Sequence, residues 1–293
     1  MEIIWDALLD ALKDGLLSIP VLLIAYILME LLERSEKLNE AAIRNSSRKT
    51  GPLLGGILGI IPQCGISGAA ASLFSTGSIT VGTMLAVFFA TSDEMLPVLL
   101  ASLTDSSTAL TLPGIILIAL TKAACGIALG YLADWILTRA TDRQRDIHSF
   151  CERENCECEG EEGSAFLSAL KHTVKIAVML IGVGFVLNLF FSFVGIEAIA
   201  HLFVRLPIVS ELLVGLFGLI PNCSVSVILT QLYLENVLPI GCLFSGLLAN
   251  AGIGLLVLVR NNKNSKENLI IIATLYGLSV LTGITITLGQ LLF

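Results

Sequence analysis

Charge is scarce in this chain. Asp, Glu, Lys and Arg make up 14% of the 293 residues, whereas a soluble domain carries roughly 25%, so most of the sequence is unsuited to water. Histidine is scarcer still. His148, His172 and His201 are the only three, and their separation offers no metal-binding pair and no nucleophile–base arrangement, which argues against an enzyme. Basic residues are too few and too dispersed for nucleic acid, 17 against 24 acidic ones, with a net charge of −7. Seven cysteines, an odd number, do not make the evenly spaced framework of a disulfide-stapled domain, so free thiols are expected. Walker-type phosphate loops are absent, and no nucleotide or other cofactor is implied. The leader is acidic (Glu2, Asp6, Asp10, Asp14 against Lys13) rather than basic, so an uncleaved chain is expected.

What is abundant is apolar: 55% of residues, with mean hydropathy +0.88. A membrane span needs about 20 mainly apolar residues, and windows 15–33, 79–100, 112–137, 173–196, 237–259 and 269–293 qualify. The sequence also repeats itself. Leu53–Ser67 lies over Leu212–Ser226 without a gap, aligning Gly56 with Gly215, Gly59 with Gly218, Pro62 with Pro221, Cys64 with Cys223 and Ser67 with Ser226. The register, an offset of 159, continues to Gly82 and Gly241 and to Ala90 and Ala249.

Lys and Arg concentrate in 34–50, 138–164 and 260–267, and such loops lie on the cytoplasmic side. A single crossing by 52–76 would put the first two on opposite faces. A re-entrant hairpin removes the conflict: two apolar arms of about 15 Å each, half the hydrocarbon core, turning at Pro62-Gln63-Cys64-Gly65. The counterpart at 211–234 turns at Pro221-Asn222-Cys223-Ser224. Each half then has three full spans plus a hairpin, and an odd count inverts the second half. The expected fold is an all-α integral membrane protein of two inverted repeats, about ten helical segments, divided as 1–137, a Cys/Glu-rich cytoplasmic linker 138–164, and 165–293.

Irregular backbone at membrane depth must be buried in protein or line a cavity. The turns place Gln63, Cys64 and Ser67 opposite Asn222, Cys223 and Ser226, where thiols and amide oxygens could ligate a soft or borderline metal. The alternative reading is that the cysteines fill space and the polar groups cap the broken arms. Asp93 and Glu94 lie inside the span 79–100, where a charge is by default functional; they suit a divalent cation, with Cys64 and Cys223, or a coupling proton. Asn250, in Asn250-Ala251-Gly252, is the repeat partner of Thr91. Lys122, near the middle of its span, is the natural partner of either acid or an anion-binding group. In the linker, Cys151, Cys156 and Cys158 with His148 are a weaker metal candidate than the zinc spacings; a flexible acidic connector is the plainer reading.

The G-x-x-G-x-I-P-[QN]-C-x-x-S hairpin, present twice, resembles the bacterial ten-transmembrane heavy-metal exporters, which look related to the ArsP-type arsenic permeases and include chains named manganese transporters. The resemblance implies a multi-pass protein of the bacterial inner membrane that exports a heavy metal, with Pro62, Gln63, Cys64, Ser67, Pro221, Asn222, Cys223 and Ser226 at the matching positions. It does not extend to Asp93, Glu94 or the linker. The expected function is therefore secondary, proton-coupled efflux of a divalent or heavy metal such as manganese, with Asp93, Glu94 and Lys122 in coupling. An arsenical or other anion permease is the alternative, and a membrane enzyme acting on lipid or thiol substrates is the alternative of another class. Partners are the ion and the bilayer, with homo-oligomerisation left open.

Overall fold

In the computed structural model the described residues are 40–91, 94–104, 111–137, 209–262 and 264–292, together with separate helical positions within 5–27 and 170–189. The linker, residues 34–39 and the full windows 15–33 and 173–196 lie outside them. Among the described residues every continuous element is a helix: α1 Glu40–Gly59, α2 Cys64–Ser75, α3 Val81–Ala90, α4 Met95–Ala101, a short 3-10 turn Ser102–Thr104, α5 Leu112–Leu137, α6 Val209–Gly218, α7 Ser224–Leu234, α8 Ile240–Ala249, α9 Gly254–Asn261 and α10 Ser265–Leu292.

Among the described residues four stretches are long and apolar enough to cross a membrane: 81–101, 112–137, 240–261 and 265–290. The chain thus has the makings of a membrane protein. α5 is apolar on all sides and leaves Ile116, Leu117, Leu120 and Trp135 exposed, as a helix facing lipid does. One expectation needs correction. Residues 40–50 are not a loop but the first half of α1, because Glu40, Ala41, Ala42, Arg44, Arg48 and Lys49 are sound helix formers even though only Thr50–Gly59 is apolar. The spans read at 79–100 and 237–259 are present as 81–101 and 240–261, each containing two short helices: Val81–Ala90 and Met95–Ala101 in the first, Ile240–Ala249 and Gly254–Asn261 in the second.

The repeat recurs in the backbone. At the first tip Ile60 N–H donates to Ile57, Ile61 to Leu58 and Gln63 to Ile61; at the second, Leu219 donates to Leu216, Ile220 to Phe217 and Asn222 to Ile220. The last bond of each set spans Pro62 or Pro221 in a three-residue turn, for which the fixed φ of proline is preset. After the second arms the chain reverses through Gly77 (φ 83°) and its counterpart Asn236 (φ 59°), a region that favours glycine and, next, asparagine.

Packing repeats too. A Cβ on Gly59 would lie 2.6 Å from Ala90 Cβ and 3.0 Å from the Val87 carbonyl oxygen; one on Gly218 would lie 3.1 Å from Ala249 Cβ and 2.3 Å from the Gly246 oxygen. α1 and α6 can therefore rest directly on the backbones of α3 and α8, the close approach that small residues permit in membrane bundles. α5 and α10 close the other side of α3 and α8, with Gly82 against Gly130 and Asp134, and Gly241 against Gly283 and Thr287. Between the halves the contacts are reciprocal: α2 packs on α9, and α7 on α4.

Candidate functional site

The apolar part of each hairpin arm, Thr50–Gly59, Gly65–Ser75, Val209–Gly218 and Ser224–Leu234, reaches about half of a 30 Å core, which puts its turn near mid-depth when the polar end of the arm is at a surface. The helix interruptions sit at the same level of their own stretches. Thr91 is the midpoint of 81–101, and Asn250 falls at the middle of 240–261. The site is built where turns and interruptions meet.

Reciprocal packing makes them meet across the halves. Ser67, three residues into the arm after the first turn, is buried, and a Cβ on Gly254 would lie 2.9 Å from its Cβ and 2.6 Å from the Phe88 ring. The first hairpin therefore faces the Asn250 interruption, with Asn261 Nδ2 donating to Ser72 Oγ at 3.4 Å further along. By the converse contact of α7 with α4, the second hairpin faces the interruption at Thr91–Glu94.

At the Thr91 interruption α3 ends with Thr91 N–H and Oγ1 both donating to the Val87 oxygen, at 2.8 and 2.6 Å. The Thr91 carbonyl, which has no continuing helix to bond, is met by Lys122 Nζ from α5. Lys122 is 2% exposed. A cation at the carbonyl end of a half-helix is favoured by the helix dipole, and the extended α5 stem carries it there. Asp93, the acid placed beside this end from the sequence, lies outside the described residues; Glu94 is described, half-buried, and directly precedes α4.

At the other interruption no such cation is supplied by α10. Where α5 has Lys122, α10 has buried Leu275, taking the register in which Gly130 corresponds to Gly283. The break is instead held by its own amide: Asn250 Oδ1 accepts from Gly252 N–H at 3.0 Å, with Gly252 at φ 51°. Asn250 thus orders the break, a capping role that leaves only the remainder of its amide for a ligand.

The second turn is similarly self-organised. Asn222 Oδ1 accepts from Ser224 N–H at 2.9 Å and from the Cys223 thiol at 3.6 Å, and Ser226 Oγ donates to the Cys223 carbonyl at 2.7 Å. Both the capping and the ligand readings of these groups survive, since one oxygen can do both in turn. Cys223 is not in a disulfide and is 8% exposed. The Cys64 backbone begins α2, but its side chain lies outside the described set, so the expected Cys64–Cys223–Asp93 grouping has one described member. Among the described residues no cluster of three His, Cys, Asp or Glu side chains is suited to a metal. Gln63 is half-buried at the first turn.

Two acids escaped the sequence reading. Asp134, inside the span 112–137, accepts from Gly82 N–H at 2.7 Å and Thr80 Oγ1 at 2.8 Å and so caps α3. Glu211 is buried at the head of α6; it stood at the edge of a hairpin window, where an acid reads as a boundary. Searches for relatives found no matching family model, no similar curated protein and no similar solved structure.

Proposed function

We propose that the chain is a secondary transporter of the bacterial inner membrane that exports a divalent or heavy metal such as manganese in exchange for protons. The observation that carries this reading is the pairing of each hairpin turn with the helix interruption of the opposite half, at mid-span. Broken helices that face one another at a repeat interface are how secondary transporters place ligand groups at the membrane centre. The ligand set is Gln63, Cys64 and Ser67 with Asn250, and Asn222, Cys223 and Ser226 with Asp93 and Glu94. Asp93 or Glu94 carries the exchanged proton. Two inverted repeats of five helical segments each, with three basic cytoplasmic segments, complete the plan.

Lys122 favours a second reading. A fixed ammonium at the Thr91 carbonyl is suited to an oxyanion such as an arsenical. Flux into proteoliposomes separates the two. Manganese, zinc and arsenite are presented in turn with an imposed pH gradient, and counter-movement of protons with one of them is the expected result. Asn222→Ala and Cys223→Ser should each lower metal flux about tenfold, the scale of losing one ligand interaction worth about 1.4 kcal/mol. No flux of any of the three species would remove the proposal.

The inverted plan has its own test. In a background without native cysteines, Ser46→Cys, Thr76→Cys and Asn264→Cys should all resist an impermeant thiol reagent in intact cells; Asn264→Cys should react after lysis, while Thr76 is itself 2% exposed. Labelling of the Thr76 variant alone in intact cells would rule out the re-entrant hairpin.

A further inference from the structure

The two broken helices end alike but are completed differently. α3 stops at Thr91, whose carbonyl is met by the Lys122 ammonium from α5. α8 stops at Asn250, which is 3% exposed. The amide groups that follow Asn250 bond elsewhere: Ala251 N–H donates to the Ala249 oxygen at 3.1 Å, Gly252 N–H to Asn250 Oδ1 at 3.0 Å and Gly254 N–H to the Ala251 oxygen at 3.1 Å. Among the described residues none donates to the Asn250 carbonyl. The equivalent helix sends no lysine to it, because α10 carries the buried Leu275 in the place of Lys122.

A buried carbonyl at the end of a half-helix carries the negative pole of the helix dipole and is costly to leave without a partner. The first half shows what such a position accepts, since Lys122 brings a full positive charge to it and is itself buried. The helices packed on α8 are α3, α5, α6, α7 and α10, and the described cations on them are Lys122, at Thr91, and Lys266. Lys266 precedes Leu275 by about 14 Å of helix, so no cation of these helices is placed at the Asn250 end. Facing that end is the first hairpin, with Gln63 at its turn and Ser67 against Gly254. The break and the hairpin opposite it thus offer carbonyl, amide and hydroxyl oxygens, the ligands of a hard divalent cation.

We propose that Lys122 is a tethered cation filling one of two equivalent ion sites, so that the chain binds a single divalent cation at the other, between the Asn250 carbonyl and the first hairpin. The oxygens there favour manganese over a thiophilic ion. The group at Thr91, with Asn222, Cys223 and Ser226, receives the ion only when the ammonium moves aside. The two halves then share one mobile cation rather than holding one each. This deepens the metal-transport reading and rests on it for the identity of the ion as cargo.

Manganese(II) binding by the full chain in lipid nanodiscs, read as loss of the free-ion signal in electron paramagnetic resonance, tests it. Lys122→Met, which removes the ammonium and keeps most of the side-chain volume, should bind one manganese ion per chain more than wild type. Leu275→Lys, which brings an ammonium to the end of α8, should bind one fewer. Differences between variants are read, so any ion held by the Cys/Glu-rich linker cancels. Wild-type stoichiometry in either folded variant would overturn the proposal, and each variant decides alone should the other not fold. Manganese flux by wild type with unchanged stoichiometry in Lys122→Met would leave the transport reading standing, whereas neither binding nor flux by wild type would remove both.

Discussion

Gly218→Val is expected to prevent assembly of the second half. The space for any side chain at this position is filled by backbone: its Cβ would lie 2.3 Å from the Gly246 oxygen and 3.0 Å from the Gly246 carbonyl carbon. Neither atom can turn aside as a side-chain end can, so α6 must lift from α8, and the hairpin turn must move with it. Overpacking a tight core costs about 1–3 kcal/mol when side chains can adjust, and here the backbone itself must yield. Gly59→Val, with Ala90 Cβ at 2.6 Å, should be milder, and Gly56→Ala milder again because the obstacle is the flexible Ile127 side chain. Gly277 in α10 has nothing within 4 Å of its Cβ position, so Gly277→Ala should be neutral or stabilise by up to about 1 kcal/mol through helix propensity. Thermal unfolding and size-exclusion profiles in detergent would rank the four. A monodisperse Gly218→Val protein with an unchanged transition would mean that the α6–α8 contact is looser than described.

Lys122→Met should abolish transport while the protein still inserts and folds. The side-chain volume is nearly kept, and Leu275 shows that the equivalent place in α10 accepts an apolar side chain. What is lost is the donor to the Thr91 carbonyl at the end of α3. An orphaned buried carbonyl costs about 1–3 kcal/mol, and removing one member of a buried charge pair about 3–5 kcal/mol; the size of the stability loss therefore reports whether Lys122 also balances an acid. Lys122→Arg should not rescue, since a planar fork cannot replace a compact ammonium at a single oxygen. Flux in proteoliposomes and unfolding in detergent measure the two effects. Wild-type flux in Lys122→Met would place the lysine in the scaffold only.

The hairpins were legible because their signal is local: a proline for the three-residue turn, glycines every third or fourth residue where an arm meets a backbone, and the same pattern written twice. The interruption at Asn250 was half-legible through Gly252. Its counterpart at Thr91–Glu94 was not, because Val81–Ala90 and Met95–Ala101 merge into one apolar window when hydropathy is averaged. Lys122 could be singled out as a buried charge, but its partner at Thr91 is 31 positions away and no periodicity connects them. Glu211 and Thr287, joined by a hydrogen bond from Thr287 Oγ1 to Oε1, are further apart still, 76 positions. Their pairing has no repeat signature, since the first half takes its carboxylate, Asp134, from α5 and Glu211 belongs to α6.

The reciprocal contacts, α2 on α9 and α7 on α4, have the form of an isologous interface, the kind that two identical subunits make about a two-fold axis. Had each half once been a separate chain, both copies would have needed the same surface patch, and each substitution would have appeared twice. Fusion removes that constraint. Lys122 could then stand opposite Leu275, and one half could retain a helix cap at Asp134 while the other placed its acid, Glu211, on a different helix. Covalent joining is what allows one member of a symmetric pair to specialise while the other preserves the scaffold.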